Sequence, residues 1–286
     1  MKNMRVLFLL LPALVIMFLI AVVPLITVFN YSLLDLFAGT FAEPVGWQNY
    51  VSALRDPAFM SSIKKQFLFT FIVILIEIPL GIGLAFTLPK QKTSWSVIAL
   101  ILLGIPLLIP WNVVGIMWRV FTRPDVGLLP VIMSKLGVVY NPAVNGGQAW
   151  WTMVAMDVWH WTPLVILLSY AGLNSIPQEF YQAAKIDAAS IWSTFRYITL
   201  PKLKYVLVIG LLLRVMDSFK MYDETFLLTA GGPGNATELL SIYTAKAARG
   251  SNYGFSSAVS LVYLFIVIVL CFILYKTVMS IGEASK

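Results

Sequence analysis

The stretch Val6–Phe29, VLFLLLPALVIMFLIAVVPLITVF, contains no charged residue in 24 positions and follows Lys2 and Arg5. A helix needs roughly 20 mostly apolar residues to cross a bilayer core, so this run is long enough to span one. It exceeds the h-region of a signal peptide and has no clear small-residue cleavage site, and it reads as a retained anchor. Five further runs of similar character follow at 67–88, 97–118, 150–173, 205–228 and 257–275. Hydrophobic residues make up 59% of the 286-residue chain and charged residues 12%, with a mean hydropathy of +0.86. A water-facing surface needs about twice that charge, so the expected fold is an all-α polytopic membrane protein with one transmembrane domain over 1–286. Pro12, Pro24, Pro79, Pro106, Pro110 and Pro163 fall in or beside these runs, where they predict kinks rather than breaks.

Six crossings put both termini on one side. Placing them in the cytoplasm leaves ten Lys/Arg inside (Lys90, Lys92 and Lys286 among them) and eight outside. The first anchor has basic residues only before it and Asp35 and Glu43 after it, which selects the same orientation. The formal charge is +7, but the basic residues are scattered between apolar runs, so nucleic-acid binding is not expected. One cysteine, Cys271, and one histidine, His160, cannot supply a disulfide or a metal-ligand pattern. No metal site is expected.

The run 205–228 is unlike the others. Arg214, Asp217, Lys220, Asp223 and Glu224 put five ionisable groups in eleven residues. At about +2.5 to +3.5 kcal/mol each near the bilayer centre they cost on the order of 12–17 kcal/mol, whereas its twelve Val, Ile, Leu and Phe return only about 5. Spacings of three and four let Arg214 pair with Asp217, Asp217 with Lys220, and Lys220 with Glu224 along one stripe. Such a stripe faces protein or a water-filled cavity, unless the helix ends near Val215 and leaves the charges in the outer interface. Glu77, Asp157 and His160 are ionisable groups in other apolar runs. Asn112, Trp118, Trp159, Phe219 and Tyr222 add amide and aromatic faces that suit sugar or polyol rings, although interfacial aromatic belts account for most membrane tryptophans. The candidate solute path is thus Asn112, Trp118, Trp159, Asp217, Phe219, Lys220, Tyr222, Asp223 and Glu224. Arg214 or Lys220 would suit a phosphorylated solute.

The loop 174–204 looks like a docking element. Asn174 or Ser175 can cap a helix with Pro177 in its first turn, and Phe180, Ala184 and Ala188 make a narrow face at a spacing of four. A second short helix is expected from Ser190 to Pro201. An interfacial helix lying on lipid, held by Lys185, Arg196, Lys202 and Lys204, is the competing reading of these residues.

Tyr181-Gln182-Ala183-Ala184-Lys185-Ile186-Asp187-Ala188-Ala189-Ser190, then Phe195 and Ile198-Thr199-Leu200-Pro201, resembles the EAA loop of binding-protein-dependent ABC importer permeases. Trp47-Gln48-Asn49-Tyr50, Ile105-Pro106 with Trp118-Arg119, Trp159 to Pro163, and Tyr222 through Thr237 resemble the carbohydrate and glycerol-phosphate branch, in its first, maltose-F-like permease type. The resemblance implies a fold in which this loop forms coupling helices seated in a separate ATPase, with Tyr181, Gln182, Ala183, Ala184, Asp187, Ala188, Phe195 and Pro201 in contact. Gln182 stands where that family usually has Glu, and Ala188 where it has Gly. The Gly231-Gly232-Pro233 turn is implied to lie near the external gate and the binding protein. Implied partners are a second, homologous permease chain, two ABC ATPase subunits that use ATP and Mg, an extracytoplasmic solute-binding protein and membrane lipid. The implied location is the bacterial inner membrane. No GxxxxGK[ST] loop occurs, so no ATP site, no cofactor and no enzyme activity are expected of this chain. An ion-coupled secondary transporter using Glu77, Asp157 and Asp217 is the alternative, but it predicts inverted repeats that the sequence does not show.

Overall fold

The computed structural model describes residues 2–37, 42–89 and 93–283. Lys90, Lys92 and Lys286 of the charge count lie outside them. Helices follow in the order α1 (Lys2–Ser32), α2 (Gln48–Arg55), α3 (Pro57–Thr87), α4 (Ser94–Leu108), α5 (Trp111–Phe121), α6 (Leu128–Lys135) and α7 (Gly146–Ser175). Then come α8 (Gln178–Ile186), α9 (Ile191–Thr194), a π-turn at Phe195–Thr199, α10 (Leu200–Lys220), α11 (Asp223–Thr229), α12 (Leu240–Arg249) and α13 (Tyr253–Glu283). Two residue pairs, Leu34–Asp35 and Glu43–Pro44, form a short antiparallel ribbon between α1 and α2.

The chain groups into two compact units. The first holds Met1–Ile63 and Tyr243–Ile268. Its α1 leaves its apolar side chains uncovered from Leu10 onward, as a lipid-facing helix does. Asn49 ties the end of α1 to the loop after it, its amide donating to the Ser32 and Leu34 carbonyls at 3.0 and 2.8 Å. Phe59 and Tyr243 pack ring to ring at 5.5 Å, and the Tyr243 hydroxyl donates to Asp56 at 2.5 Å.

The second unit holds Lys64–Ile242 and Val269–Lys286, with α7 as its buried centre. Phe69, Val73, Val114, Met153, Met156, Met221 and Leu228 form one apolar cluster around α7. Ala85, Ile166, Leu173, Ile176 and Leu203 form another nearer its C-terminal end. Glycines allow close helix approach here: a methyl on Gly172 would lie 2.6 Å from Leu203 Cδ2, and one on Gly210 would lie 3.0 Å from Leu168 Cδ1.

Among the described residues α1, α3, α7 and α13 are long and apolar enough to cross a membrane, and α4 with α5 makes a fifth only as a pair bent by 91°. The expected continuous span at 97–118 is therefore corrected to a broken one. Pro110 lacks an N–H and drives Ile109 into an extended conformation (φ −79°, ψ 127°), so the helix stops and restarts at Trp111. Pro12, Pro24, Pro79, Pro106 and Pro163 stay inside helices. The run 67–88 begins earlier than expected, at Pro57, where Asp56 Oδ1 accepts from the Ala58 N–H at 2.7 Å.

The expected span at 205–228 also breaks. α10 ends at Lys220, Met221 is extended, and α11 starts at Asp223 with Asp223 and Glu224 in its favourable first turn. The Met221 carbonyl freed by the break accepts from Ser241 Oγ at 2.5 Å. Ala230 (φ 53°) and Gly231 (φ 89°) close α11 in left-handed conformations.

In the coupling segment, Asn174 and Ser175 do not cap a new helix. Their side chains donate back to the Tyr170 and Gly172 carbonyls of α7, and Pro177 occupies the N-cap position of α8. Ala188 lies past the end of α8 at φ 51°, so it does not extend the face of Phe180 and Ala184. Ser190 does cap α9, accepting from the Ser193 N–H at 3.1 Å. Pro201 does not terminate a helix: it sits in the first turn of α10, where a missing N–H costs nothing.

Candidate functional site

Three helices of the second unit each carry one charge into the protein interior. Arg214 of α10 and Glu77 of α3 are fully buried, and Asp157 of α7 is 3% exposed. Arg214 Nε and Nη2 donate to the two Glu77 oxygens at 2.6 and 2.9 Å, and Nη2 also reaches Asp157 Oδ2 at 2.6 Å. The guanidinium lies 4.7 Å from the centre of the Trp161 ring. A planar fork that can accept a bidentate carboxylate and an aromatic face is a task for Arg rather than Lys.

This arrangement corrects the expected pairing of Arg214 with Asp217 and keeps that of Asp217 with Lys220. Arg214 pairs across helices with Glu77 and Asp157, and Asp217 pairs with Lys220 at 3.5 Å. With its charge so engaged, Arg214 is not a contact for a phosphorylated solute. The signal was present in the sequence, as ionisable residues of opposite sign, Glu77, Asp157 and Arg214, in three apolar runs.

The remaining expected path residues separate into groups. Asn112 and Asp223 line one cavity of about 500 Å³ with Leu107, Ile109 and Trp111, at the break between α4 and α5. Trp118 and Trp159 touch at 6.0 Å between ring centres, and Trp111 and Trp161 at 6.3 Å. Tyr222 stacks on Phe226 at 5.4 Å. Lys220 is exposed, whereas Glu224 is buried at the start of α11. Phe219 is 2% exposed and packs edge-on against Phe67 at 5.4 Å, so it belongs to the packed interior and offers no open face.

Gly232 and Pro233 line a second cavity of about 630 Å³ with Arg119, Arg123, Thr229 and Leu228. Arg123 is bridged to Asp125, and its hydrogen bonds hold that carboxyl below the ordinary carboxylate range. Arg119 has no ion-pair partner among the described residues, so it is the cation this cavity presents. Gly231 is buried behind the turn.

In the coupling segment Ala184 is buried, facing α3 in a groove of about 970 Å³ with Gly83, Phe86 and Phe195. The Tyr181 hydroxyl is 3.2 Å from Thr199 Oγ1, and Phe195 meets Phe86 at 5.8 Å. Gln182, Ala183, Asp187, Ala188 and Pro201 are exposed. Sequence reasoning did not single out Ile186 and Ile191, yet they are 85% and 92% exposed at the ends of α8 and α9.

Residues 77–276 match the family model described as "Binding-protein-dependent transport system inner membrane component". The trehalose/maltose transport system permease protein MalF of Thermococcus litoralis is 36% identical over 218 residues, covering 76% of this chain and 74% of that protein. The arabinooligosaccharides transport system permease protein AraP of Bacillus subtilis is 32% identical over 257 residues, covering 88% and 82%. The fold matches that of a chain in the crystal structure of a bacterial ABC transporter involved in the import of the acidic polysaccharide alginate. There the TM-score is 0.83 at 17% identity, over 98% of this chain and 96% of that one. A chain in the crystal structure of a bacterial alginate ABC transporter in complex with an alginate pentasaccharide-bound periplasmic protein matches with a TM-score of 0.78 at 19% identity, over 96% of this chain and 93% of that one. The family match covers more than half of the chain and both permease relatives exceed 30% identity over more than two thirds of it, so this protein belongs to the family of binding-protein-dependent transport system inner membrane components.

Proposed function

We propose that the chain is a permease subunit of an ATP-driven importer for a carbohydrate, polyol or glycerol-type solute, and that it lines half of the translocation pathway. The observation that carries this reading is the exposed two-helix knob 178–194, which joins directly to α10 through the π-turn and lies within the family match. The trehalose/maltose and arabinooligosaccharide systems named for its relatives support a sugar-like solute. The neighbouring structure with a periplasmic protein supports delivery by an extracytoplasmic binding protein.

In this mechanism two ATPase subunits, which bind ATP and Mg, close and push the knob through Gln182, Ala183, Ile186, Asp187 and Ala188. Ala184, Tyr181 and Phe195 hold the knob from behind the contact, and Pro201, exposed in the first turn of α10, lies beside it. The push travels along α10, and the path between this chain and a second, homologous permease opens alternately to either side. Solute hydroxyls meet Asn112, Asp223, Asp217 and Lys220, with Trp118, Trp159 and Tyr222 offering ring faces, Glu224 at the turn, and Phe219 as backing. Gly231, Gly232 and Pro233 shape the outer entrance, near the binding protein. The chain sits in the inner membrane with both termini in the cytoplasm and lipid around α1 and α13.

Co-purification tests the contact. The chain expressed with its cognate ATPases is expected to retain them, and Ile186→Asp is expected to lower retention at least tenfold while leaving the chain itself folded. Full retention by Ile186→Asp would remove the knob as the ATPase contact. Uptake by the chain alone, driven by a sodium or proton gradient, would replace this reading with that of a secondary transporter.

A further inference from the structure

A ladder of buried polar contacts runs between α3 and the outer third of α10. Gln66 Nε2 donates to the Ser218 carbonyl at 2.9 Å, Thr70 Oγ1 lies 2.9 Å from Ser218 Oγ, and Glu77 holds Arg214 in a fork. Residues 66, 70 and 77 form one stripe of α3, and 214 and 218 form one stripe of α10. On the other side, α7 presents Asp157 and Trp161, four apart, to the same guanidinium. Elsewhere α7 and α10 approach closely against apolar side chains, at Gly210 and at Gly172. A close apolar contact lets one helix turn against another, whereas directional charge-assisted bonds fix the angle at which it stops.

The position along the chain matters as much as the contacts. α10 starts one residue after the π-turn that ends the knob, runs 21 residues, and breaks immediately after Lys220. Its length, roughly 30 Å at 1.5 Å per residue, matches the thickness of a hydrocarbon core. The triad thus grips α10 less than two turns before the break, and Asp217 and Lys220 are the charges between grip and break.

We propose that Arg214 is a positioning residue for transport. Clamped by Glu77 and Asp157, it sets the rotation of α10, so that movement of the knob at one end becomes a defined turn of the Asp217–Lys220 segment at the other. The proposal rests on the reading of this chain as an ATP-driven subunit. It differs from a purely structural role in predicting a nucleotide-dependent signal that vanishes while the complex stays assembled.

The test uses the full chain assembled with its partner permease and ATPases, with Cys271→Ser as background and Lys220→Cys as reporter for a membrane-impermeant maleimide. Lys220 has a side chain 60% exposed, so the reporter is reachable. In this parent the labelling rate is expected to differ at least fivefold between the nucleotide-free and the Mg-ATP-bound complex. Two variants are then compared. Arg214→Lys keeps the charge and loses the fork. Glu77→Gln with Asp157→Asn and Arg214→Gln removes all three charges together and leaves no unpaired ion. Both are expected to assemble to within twofold of the parent and to show less than a twofold nucleotide effect. A fivefold effect preserved in either variant would overturn the proposal. Failure of both to assemble would overturn it too, by assigning the triad to folding alone. A complex with Lys220 intact that assembles but does not hydrolyse ATP would instead remove the underlying reading of an ATP-driven subunit, whereas a hydrolysing complex whose Lys220→Cys parent shows no labelling change would overturn the proposal.

Discussion

Ala188 carries a φ of 51°, a conformation in which an L side chain crowds the following carbonyl at a cost of about 1–2 kcal/mol. The position follows α8 and turns the chain toward α9, which explains why the resembling family has Gly there. Ala188→Gly is expected to stabilise the assembled protein by about 1 kcal/mol, seen as a higher midpoint in thermal unfolding monitored by detergent-phase fluorescence. No change in that midpoint would mean the turn relaxes in the complex. The opposite sign is expected at Arg214. Arg214→Met alone leaves Glu77 and Asp157 buried without a cation, and removing one partner of a buried ion set typically costs about 3–5 kcal/mol. Glu77→Gln and Asp157→Asn added to Arg214→Met are expected to recover most of that loss in the same unfolding measurement, because no ion is then stranded. A triple variant as unstable as the single one would show that shape rather than charge sets the cost.

Between α5 and α11 the backbones approach so closely that a methyl on Gly115 would lie 2.7 Å from the Glu224 carbonyl oxygen and 3.0 Å from Leu227 Cβ. Gly115→Val is therefore expected to push α11 off α5 and cost about 1–3 kcal/mol, with a larger fall in uptake than in ATPase binding, since the knob lies elsewhere. Equal falls in both would place the defect in general folding. The knob itself has two sides. Ala184 is 6% exposed against α3, so a bulky charge there unseats α8, whereas Ile186 on the bare side tests docking directly. The four-residue spacing of Phe180 and Ala184 was legible in the sequence, but neither the end of α8 before Ala188 nor the side of α8 that lies against α3 was. Helical spacing describes an isolated cylinder, and only a neighbouring helix decides which stripe is covered.

For the molecule as a whole, α1 exposes Leu14, Met17, Phe18 and Ile20, and α13 exposes Phe265 and Phe272. Surfaces of this size need lipid or another membrane chain. Purified chain in liposomes is expected to take up no solute under a sodium or proton gradient. The same chain assembled with a second permease, the ATPases and a binding protein is expected to do so on ATP addition, checked with radiolabelled maltose, trehalose and glycerol 3-phosphate in parallel.

The sequence by itself determined the class of the protein and the place of the knob, because hydrophobicity and a contiguous motif are local properties, but of its six expected spans those at 97–118 and 205–228 are broken. It also announced that 205–228 could not face lipid all round, since the cost of five charges exceeds what twelve apolar residues return. Only the tertiary structure decided where those charges go. Arg214 meets Glu77 and Asp157 from positions 137 and 57 residues away, and α4–α5 and α10–α11 break where freed backbone groups find partners or line a cavity. Such pairings join residues far apart in the chain, and neither periodicity nor propensity carries information over that distance.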